Sequence, residues 1–430
     1  MTPISLILII ILGSLVLSLP RHHALKPLLI AITLLPAGMV LVVGPLHFYG
    51  IRIFVFLGMV RVLLKHEYTG NQINSIDKYF ILWTAVMLVN GLLVKRYDQT
   101  IITRLGEVYD ATGIYFLMRF LIKSEKDIYA VIKALSIIML VVCLFMIYER
   151  TVKFNLFSLL GGSFSSVLIR DGRIRCRGPF AHSILAGTVA ASVSSWFLIS
   201  FCNKKVNVKY AYIGMISSFT IVVLSASSGP IMTLIFAVVA FAFWPMKNNM
   251  RAVRYALFAS IIVLNFLMKA PLWFLIARID LTGSSTGWHR AELIDSAIRH
   301  FNEWWLIGTP VTRHWMPTGV SWSPYQTDIT NMYIKNGIYG GFLGMLLFIL
   351  IISSGYKLVG KSLKNISGNS LSKKVLIWAF SASLFAHTGT FFSITYFDQS
   401  IMYFYLTLAM IGAAGEYFTN TKTELTLNIL

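Results

Sequence analysis

Charge is scarce in this sequence. Asp, Glu, Lys and Arg together make up 13% of 430 residues, about half the share of a soluble domain. Acid is scarcest of all, with 17 acidic residues against 37 basic ones. Three cysteines, Cys143, Cys176 and Cys202, are too few and too scattered for a disulfide framework. Alternating strand patterns of about ten residues are missing, which argues against an outer-membrane barrel. No internal repeat and no low-complexity linker is present. Neither long polar stretch, 149–181 or 269–330, contains an Asp-x-Asp or Glu-x-Asp pair to hold a divalent metal.

Apolar sequence is what the chain has in abundance. It is 57% hydrophobic, and its mean hydropathy is +0.72. Runs long enough to cross a bilayer as helix recur from end to end. Candidate spans cover 3–19, 26–45, 50–64, 78–94, 105–122, 128–148, 182–201, 209–226, 229–245, 252–268, 331–354, 374–392 and 398–416. The expectation is an all-α, polytopic transmembrane helix bundle of about 12–13 spans, forming a single membrane domain over 1–430. The first segment has no basic residue before it and no small-residue cleavage site after it, so it is expected to be a retained helix.

The net charge of +20 reads as a topology signal rather than as an affinity for nucleic acid. One set of alternate loops carries 17 basic residues, 14 of them lysine: Arg21, Lys26, Lys65, Lys78, Lys123, Lys126, Lys204, Lys205, Lys209, Lys247, Arg251, Arg254, Lys357, Lys361, Lys364, Lys373 and Lys374. That side is expected to be cytoplasmic, with both long loops and the N-terminus outside and the C-terminus inside. The opposite loops carry three lysines, Lys95, Lys153 and Lys269, and 11 arginines: Arg96, Arg104, Arg150, Arg170, Arg173, Arg175, Arg177, Arg278, Arg290, Arg299 and Arg313. Topology needs only positive charge. Arginine adds a planar fork that grips phosphate or carboxylate oxygens in pairs. The outward arginines therefore point to an anionic ligand; the plainer alternative is contact with lipid head groups or capping of loop carbonyls.

Arg170, Arg173, Arg175 and Arg177 crowd the entrance of the helix that begins near His182. Charge at a membrane mouth is costly and marks functional sites. A diphosphate held there would meet several forks, with the positive end of the next helix behind it. His182 either donates to that anion or simply caps the helix. In the second long loop, residues 288–305 have helical periodicity, with Leu293, Ile294, Ala297, Ile298 and Phe301 on one stripe. This predicts an amphipathic helix on the outer membrane face. Trp288, Trp304, Trp305, Trp315 and Trp322 suit a membrane interface or a sugar face. Asp328, Thr330, Asn331 and Tyr333 lead into the next span, where Asp328 can accept a proton from an attacking hydroxyl or serve as a solvated cap. Arg61, Glu107, Asp110, Arg119, Lys133 and Glu416 fall within spans; Glu107 and Asp110 share a face and suit pairing with Arg96 or Arg104.

The stretch Arg175-Cys176-Arg177-Gly178-Pro179-Phe180-Ala181-His182-Ser183, with Gly187 beyond it, resembles the Arg-x-x-Gly-x-Phe-x-His-Pro-type opening of a mid-chain helix in the O-antigen ligase and O-antigen polymerase superfamily. Ser227-Ser228-Gly229 is similar to the Ser-Arg-Gly turn of that family, without its arginine. Gly287-Trp288-His289-Arg290 resembles the start of the family's large loop. Asn331, Tyr333 and the Gly337-Ile338-Tyr339-Gly340 run resemble its end, with Thr330 where ligases carry histidine. The likeness covers roughly residues 150–350. It implies inverting, metal-independent glycosyl transfer from a polyprenyl diphosphate-linked oligosaccharide at the outer face of a bacterial cytoplasmic membrane, with no cofactor and no metal. The acceptor would be a growing polysaccharide for a polymerase, or a lipid or protein for a ligase. Flippase and chain-length regulator proteins would be its partners. Arg173, Arg175, Arg177, Arg290 and Arg313 are the expected diphosphate ligands, with Arg290, His182 and Asp328 at the chemistry. His289, His300, Asn331 and Tyr333 are expected to shape the site or meet the acceptor, and His289, His300 or His314 stands in as base if Asp328 does not serve. A transporter of lipid-linked sugars is the competing class; it favours repeats and a charged central path, neither of which the sequence shows.

Overall fold

The computed structural model describes residues 1–43, 46–94, 101–202, 207–278, 287–366 and 370–427. Lys95, Arg96, Lys204 and Lys205 of the charge comparison lie outside the described residues. The described chain is mostly helical, with very little sheet. Its first half holds α1 (Pro3–Ser18), α2 (Arg21–Leu34), α3 (Gly50–Leu64), α4 (Ser75–Leu93), α5 (Ile101–Leu121) and α6 (Glu125–Val152). The middle holds α7 (Ser183–Phe197), α8 (Ile199–Cys202), α9 (Lys209–Leu224), α10 (Ser228–Ala242) and α11 (Met250–Leu267). The large loop contains α12 (Gly287–Arg299) and α13 (Phe301–Trp304). The chain then runs through α14 (Met332–Asn365), α15 (Leu371–Thr390) and α16 (Ser400–Leu427). Two antiparallel hairpins complete the description: β1 (Val40–Val43) with β2 (Leu46–Tyr49), and β3 (Leu168–Arg170) with β4 (Arg173–Arg175).

Five described segments are long and apolar enough to cross a membrane: 75–93, 125–152, 183–201, 244–267 and 332–365. Three shorter apolar helices, α1, α9 and α10, stand beside them. Several helix starts are written locally. Thr2, Asn74 and Ser124 each close a reciprocal cap with the residue three places on, which satisfies amide groups that a helix start leaves open. One expected span is shorter than its apolar run. Residues 26–45 do not form a single helix, because α2 stops before Pro36. Leu35 takes an extended conformation (φ −88°, ψ 118°), as a residue preceding proline prefers, and the chain then turns into β1.

The helix α7 is the centre of the bundle. It packs on α6, α9, α10, α15 and α16, and 78% of its span is buried against 6% for the span containing α11. The entrance of α7 is therefore held from many sides. Buried charge at the other end of the bundle is paired. Arg61 forms a fork with Glu67 at 2.7 and 2.8 Å, and Arg119 bridges Asp77 and Glu416. Glu107 pairs with Arg104, as the sequence allowed, whereas Asp110 pairs with Arg52.

The long amphipathic helix expected at 288–305 breaks at His300 (φ −98°, ψ 24°), dividing it into α12 and α13. Its stripe does not lie wholly against a membrane surface. Leu293 and Ala297 are buried with Trp304, Trp315, Met316, Ile334 and Ile338 in a second core that joins the loop to α14. Ile298 and Phe301 stay exposed. Trp304 and Trp315 are thus core residues, while Trp288, Trp305 and Trp322 face outward. The loop docks where α14 is itself interrupted. Gly341 has φ +66°, and a side chain there would collide with the Leu306 carbonyl. The freed Phe342 N–H donates to the Trp305 carbonyl at 2.7 Å, and the Thr309 N–H to that of Ile338 at 3.0 Å.

Candidate functional site

The arginine-rich stretch forms a hairpin followed by a tight turn. Arg170 and Arg173 face each other across β3 and β4. Arg173 lies exposed near the hairpin end, whereas Arg175 and Arg177 are buried. Gly178 (φ +55°) turns the chain into α7, a left-handed conformation that costs other residues free energy.

Polar groups from distant segments clamp this turn. The Glu149 carboxylate, in the last turn of α6, accepts the Gly178 N–H at 2.8 Å and the Arg177 N–H at 3.2 Å. Asn155 donates to the Gly178 carbonyl at 2.9 Å. Just before α16, Asp398 accepts the Ala181 N–H and Gln399 donates to the Pro179 carbonyl, both at 2.9 Å. From α9, the Leu224 carbonyl accepts the Cys176 N–H at 3.1 Å. Sequence reasoning missed Glu149, Asn155, Asp398 and Gln399. A carboxylate and an amide at the ends of apolar helices were the only available signal.

The guanidinium groups are aimed by these contacts and then left partly open. Arg175 donates through Nη2 to the Ser227 hydroxyl at 2.6 Å. Ser227 belongs to the Ser227-Ser228-Gly229 turn between α9 and α10. Arg177 donates through Nη2 to the Ser166 carbonyl at 2.6 Å and lies 5.0 Å over the Phe164 ring. The Nε–H groups of Arg175, Arg177 and Arg290 are all buried with no hydrogen-bond partner. A buried donor on a cation is costly to leave unpaired.

Electrostatics link the two long loops through Arg170. That residue perturbs Arg175, His182 and Arg290 alike. Burial, then repulsion from Arg170, lowers the pKa of Arg175 and works against the charge on Arg290, which Asp328 partly offsets. Burial also lowers Arg177, with Glu149 opposing. All three remain cations, and an anion bound beside any of them would offset the cost of its burial.

Of the two roles that its sequence position allowed, His182 takes the capping one here, and its other ring nitrogen stays available to donate. Its Nδ1 accepts the Ile184 N–H at 3.1 Å, capping α7. Burial, then Arg175, Arg177 and Arg170, pushes its pKa down to about 4. The ring is therefore neutral near pH 7, and with Nδ1 accepting, its proton sits on Nε2. His182 is thus a fixed donor rather than a base. Asparagine caps a helix equally well but lacks this donor. His182→Asn is expected to keep thermal stability near pH 7 and lose about 10-fold or more in activity, the range of a positioned donor. His182→Ala is expected to lose about 1 kcal/mol of stability as well. On acidification from pH 6.5 towards 4, unfolded wild-type chains bind a proton that the native ring refuses, so native stability falls. The Asn variant should lack that part of the loss, as thermal unfolding against pH will read.

The other predicted residues fall in different places. Arg290, in the first turn of α12, is within electrostatic reach of the exposed Asp328. His289 donates from Nε2 to the Asp328 carbonyl at 3.0 Å, tying α12 to the segment before α14. Asn331 caps α14 through the Tyr333 and Ile334 N–H groups at 2.9 and 3.0 Å. Tyr333 donates to the Thr388 carbonyl at 3.0 Å. Both are structural here. Arg313 donates to the Met316 and Pro317 carbonyls at 2.9 and 3.3 Å, the carbonyl-capping role. His300 lies beyond the opposite end of α12 from Arg290, with His314 beside it. Neither a protein-family model nor a curated protein matches the chain.

Proposed function

We propose that this chain is a membrane-embedded glycosyltransferase that polymerises lipid-linked oligosaccharide repeat units of an exopolysaccharide or O-antigen. It spans a bacterial cytoplasmic membrane about 12–13 times, and its site faces outward. The observation that carries this reading is that Arg175, Arg177 and Arg290 each keep a buried Nε–H group with no partner, with Arg175 and Arg177 close enough to bear on His182 and Arg170 acting on both His182 and Arg290. A diphosphate on a polyprenyl carrier satisfies such a set, and the apolar helices around it suit the lipid tail.

In this reading the acceptor hydroxyl attacks the anomeric carbon of the donor sugar from the face opposite the diphosphate. The carbon–oxygen bond to the diphosphate breaks, and its electron pair leaves with the phosphate oxygen. Arg175, Arg177 and Arg290 stabilise the charge that develops there, and His182 adds a neutral hydrogen bond. Asp328, exposed beside Arg290, accepts the acceptor's proton. Thr330, where a ligase-like histidine would stand, favours polymerase over ligase. The test is lengthening of a lipid-linked glycan by purified protein in detergent, where no sealed membrane permits transport. Loss of the gene should accumulate single repeat units on the carrier. Finished polymer left on the carrier would instead identify a ligase, and no lengthening in detergent would favour transport.

A further inference from the structure

Away from the arginines, three side chains converge on one point. The ligating atoms of His300, Glu303 and His314 all lie within 4.8 Å of one another. His300 Nδ1 donates to Glu303 Oε1 at 2.8 Å, and His314 Nε2 donates to Glu303 at 3.0 Å. The two imidazole rings stand 5.1 Å apart and nearly perpendicular, at 88°. We propose that His300, Glu303 and His314 form a site for a borderline divalent metal ion, zinc by preference, which staples the large loop.

The donor set is two imidazole nitrogens and one carboxylate oxygen, a combination that suits zinc. Zinc bonds of about 2.0–2.2 Å place tetrahedral donors about 3.4 Å apart, so small side-chain rotations are enough to admit the ion. A neutral imidazole that now donates from its ligating nitrogen needs only to move that proton to its other nitrogen. The ion then takes the place of both hydrogen bonds to the carboxylate. The surroundings resemble the outer shell of a metal site. Trp315 donates from Nε1 to Glu303 Oε2 at 2.9 Å, and the His300 ring stacks on the buried Trp315 ring at 5.6 Å and 5°. Trp315 is itself held by the Ser296 hydroxyl, which donates to its carbonyl at 2.9 Å. Burial raises the Glu303 pKa, but hydrogen bonds from Trp315, His314 and His300 outweigh it and favour the carboxylate. The His314 side chain is 49% exposed, so ions have access and water can complete the coordination.

The site joins the break after α12, α13 and the turn at Arg313–Trp315. Ten residues of helix and its end separate it from Arg290, roughly 15 Å at 1.5 Å per residue. The ion therefore steadies the loop and takes no part in glycosyl transfer; the proposal stands independently of the arginine site.

The test uses the full chain in detergent, purified without a polyhistidine tag, stripped with chelator and titrated with zinc by calorimetry. One equivalent is expected to bind with a Kd of about 10 µM or tighter at pH 7.5, weakening as imidazolium forms at lower pH. Zinc is expected to raise the thermal midpoint of wild type. His314→Ala and Glu303→Gln should each weaken binding by about 30-fold or more and abolish the thermal shift. His314 is exposed enough for its variant to keep the fold, and cobalt absorption in place of zinc should report a low-symmetry site that the same variants lose. Binding weaker than 10 µM, or equally tight binding by the variants, overturns the proposal.

Discussion

Arg177→Lys is expected to lower polymer formation in membranes by about 100-fold or more, the effect of losing one donor aimed at a developing anion, with the protein made at its normal level. Charge is retained in this variant, so long-range attraction of an anionic donor is unchanged. What lysine cannot copy is the division of labour within one guanidinium. Nη2 of Arg177 is fixed to the Ser166 carbonyl and its plane lies over Phe164, while Nε–H stays open. An ammonium has no rigid second donor to present once the first is anchored. Arg290→Lys should behave similarly, because its Nε–H is open in the same way. If both hold one diphosphate, the double variant should lose less than the product of the single losses, since residues sharing a partner are not additive. Chain length measured on gels of extracted glycan reads all three variants. A loss under 3-fold in either single variant would remove that arginine from the site.

The helices were legible because bilayer-spanning segments declare themselves by length and apolarity. Where the reading overran, at 26–45, hydropathy continued through Pro36 while backbone geometry did not. The contrast of arginine with lysine drew attention to the segments that hold Arg175, Arg177 and Arg290, since it reflects chemistry carried by single side chains. It did not distinguish Arg177 from Arg313. Both are loop arginines anchored to carbonyls, and only the folded loop leaves Arg313 exposed while burying Arg177 with an open Nε–H. Glu149 and Asp398 were illegible for a related reason. Their partners lie 28 or 29 and 217 residues away, and nothing local in an apolar helix end announces an amide group that will arrive from so far. The grouping of His300, Glu303 and His314 was half visible as a helical pair; the third member arrives only through the packing of Trp315.

Glu149 supports the second large expectation. Its carboxylate is the acceptor for two successive N–H groups, those of Arg177 and Gly178, in a buried turn. Glu149→Leu fills a similar volume but leaves both amide groups orphaned, at about 1–3 kcal/mol each. Glu149→Gln keeps one acceptor oxygen without charge, and hydrogen bonds to it should be about half as strong. Thermal unfolding in detergent should therefore rank wild type above Gln above Leu. Activity should fall further than stability alone explains, because the same peptide unit sets the direction of the Arg177 side chain. Gly178→Ala offers an independent approach to the same turn. It adds roughly 1–2 kcal/mol of left-handed strain and a methyl group 3.2 Å from Met146 Cγ, while leaving the carboxylate intact. If the turn must be held in place to aim Arg177, all three variants lose polymer in proportion to how far they displace it. A folded Glu149→Leu protein making normal polymer would show instead that Arg177 is positioned without the clamp.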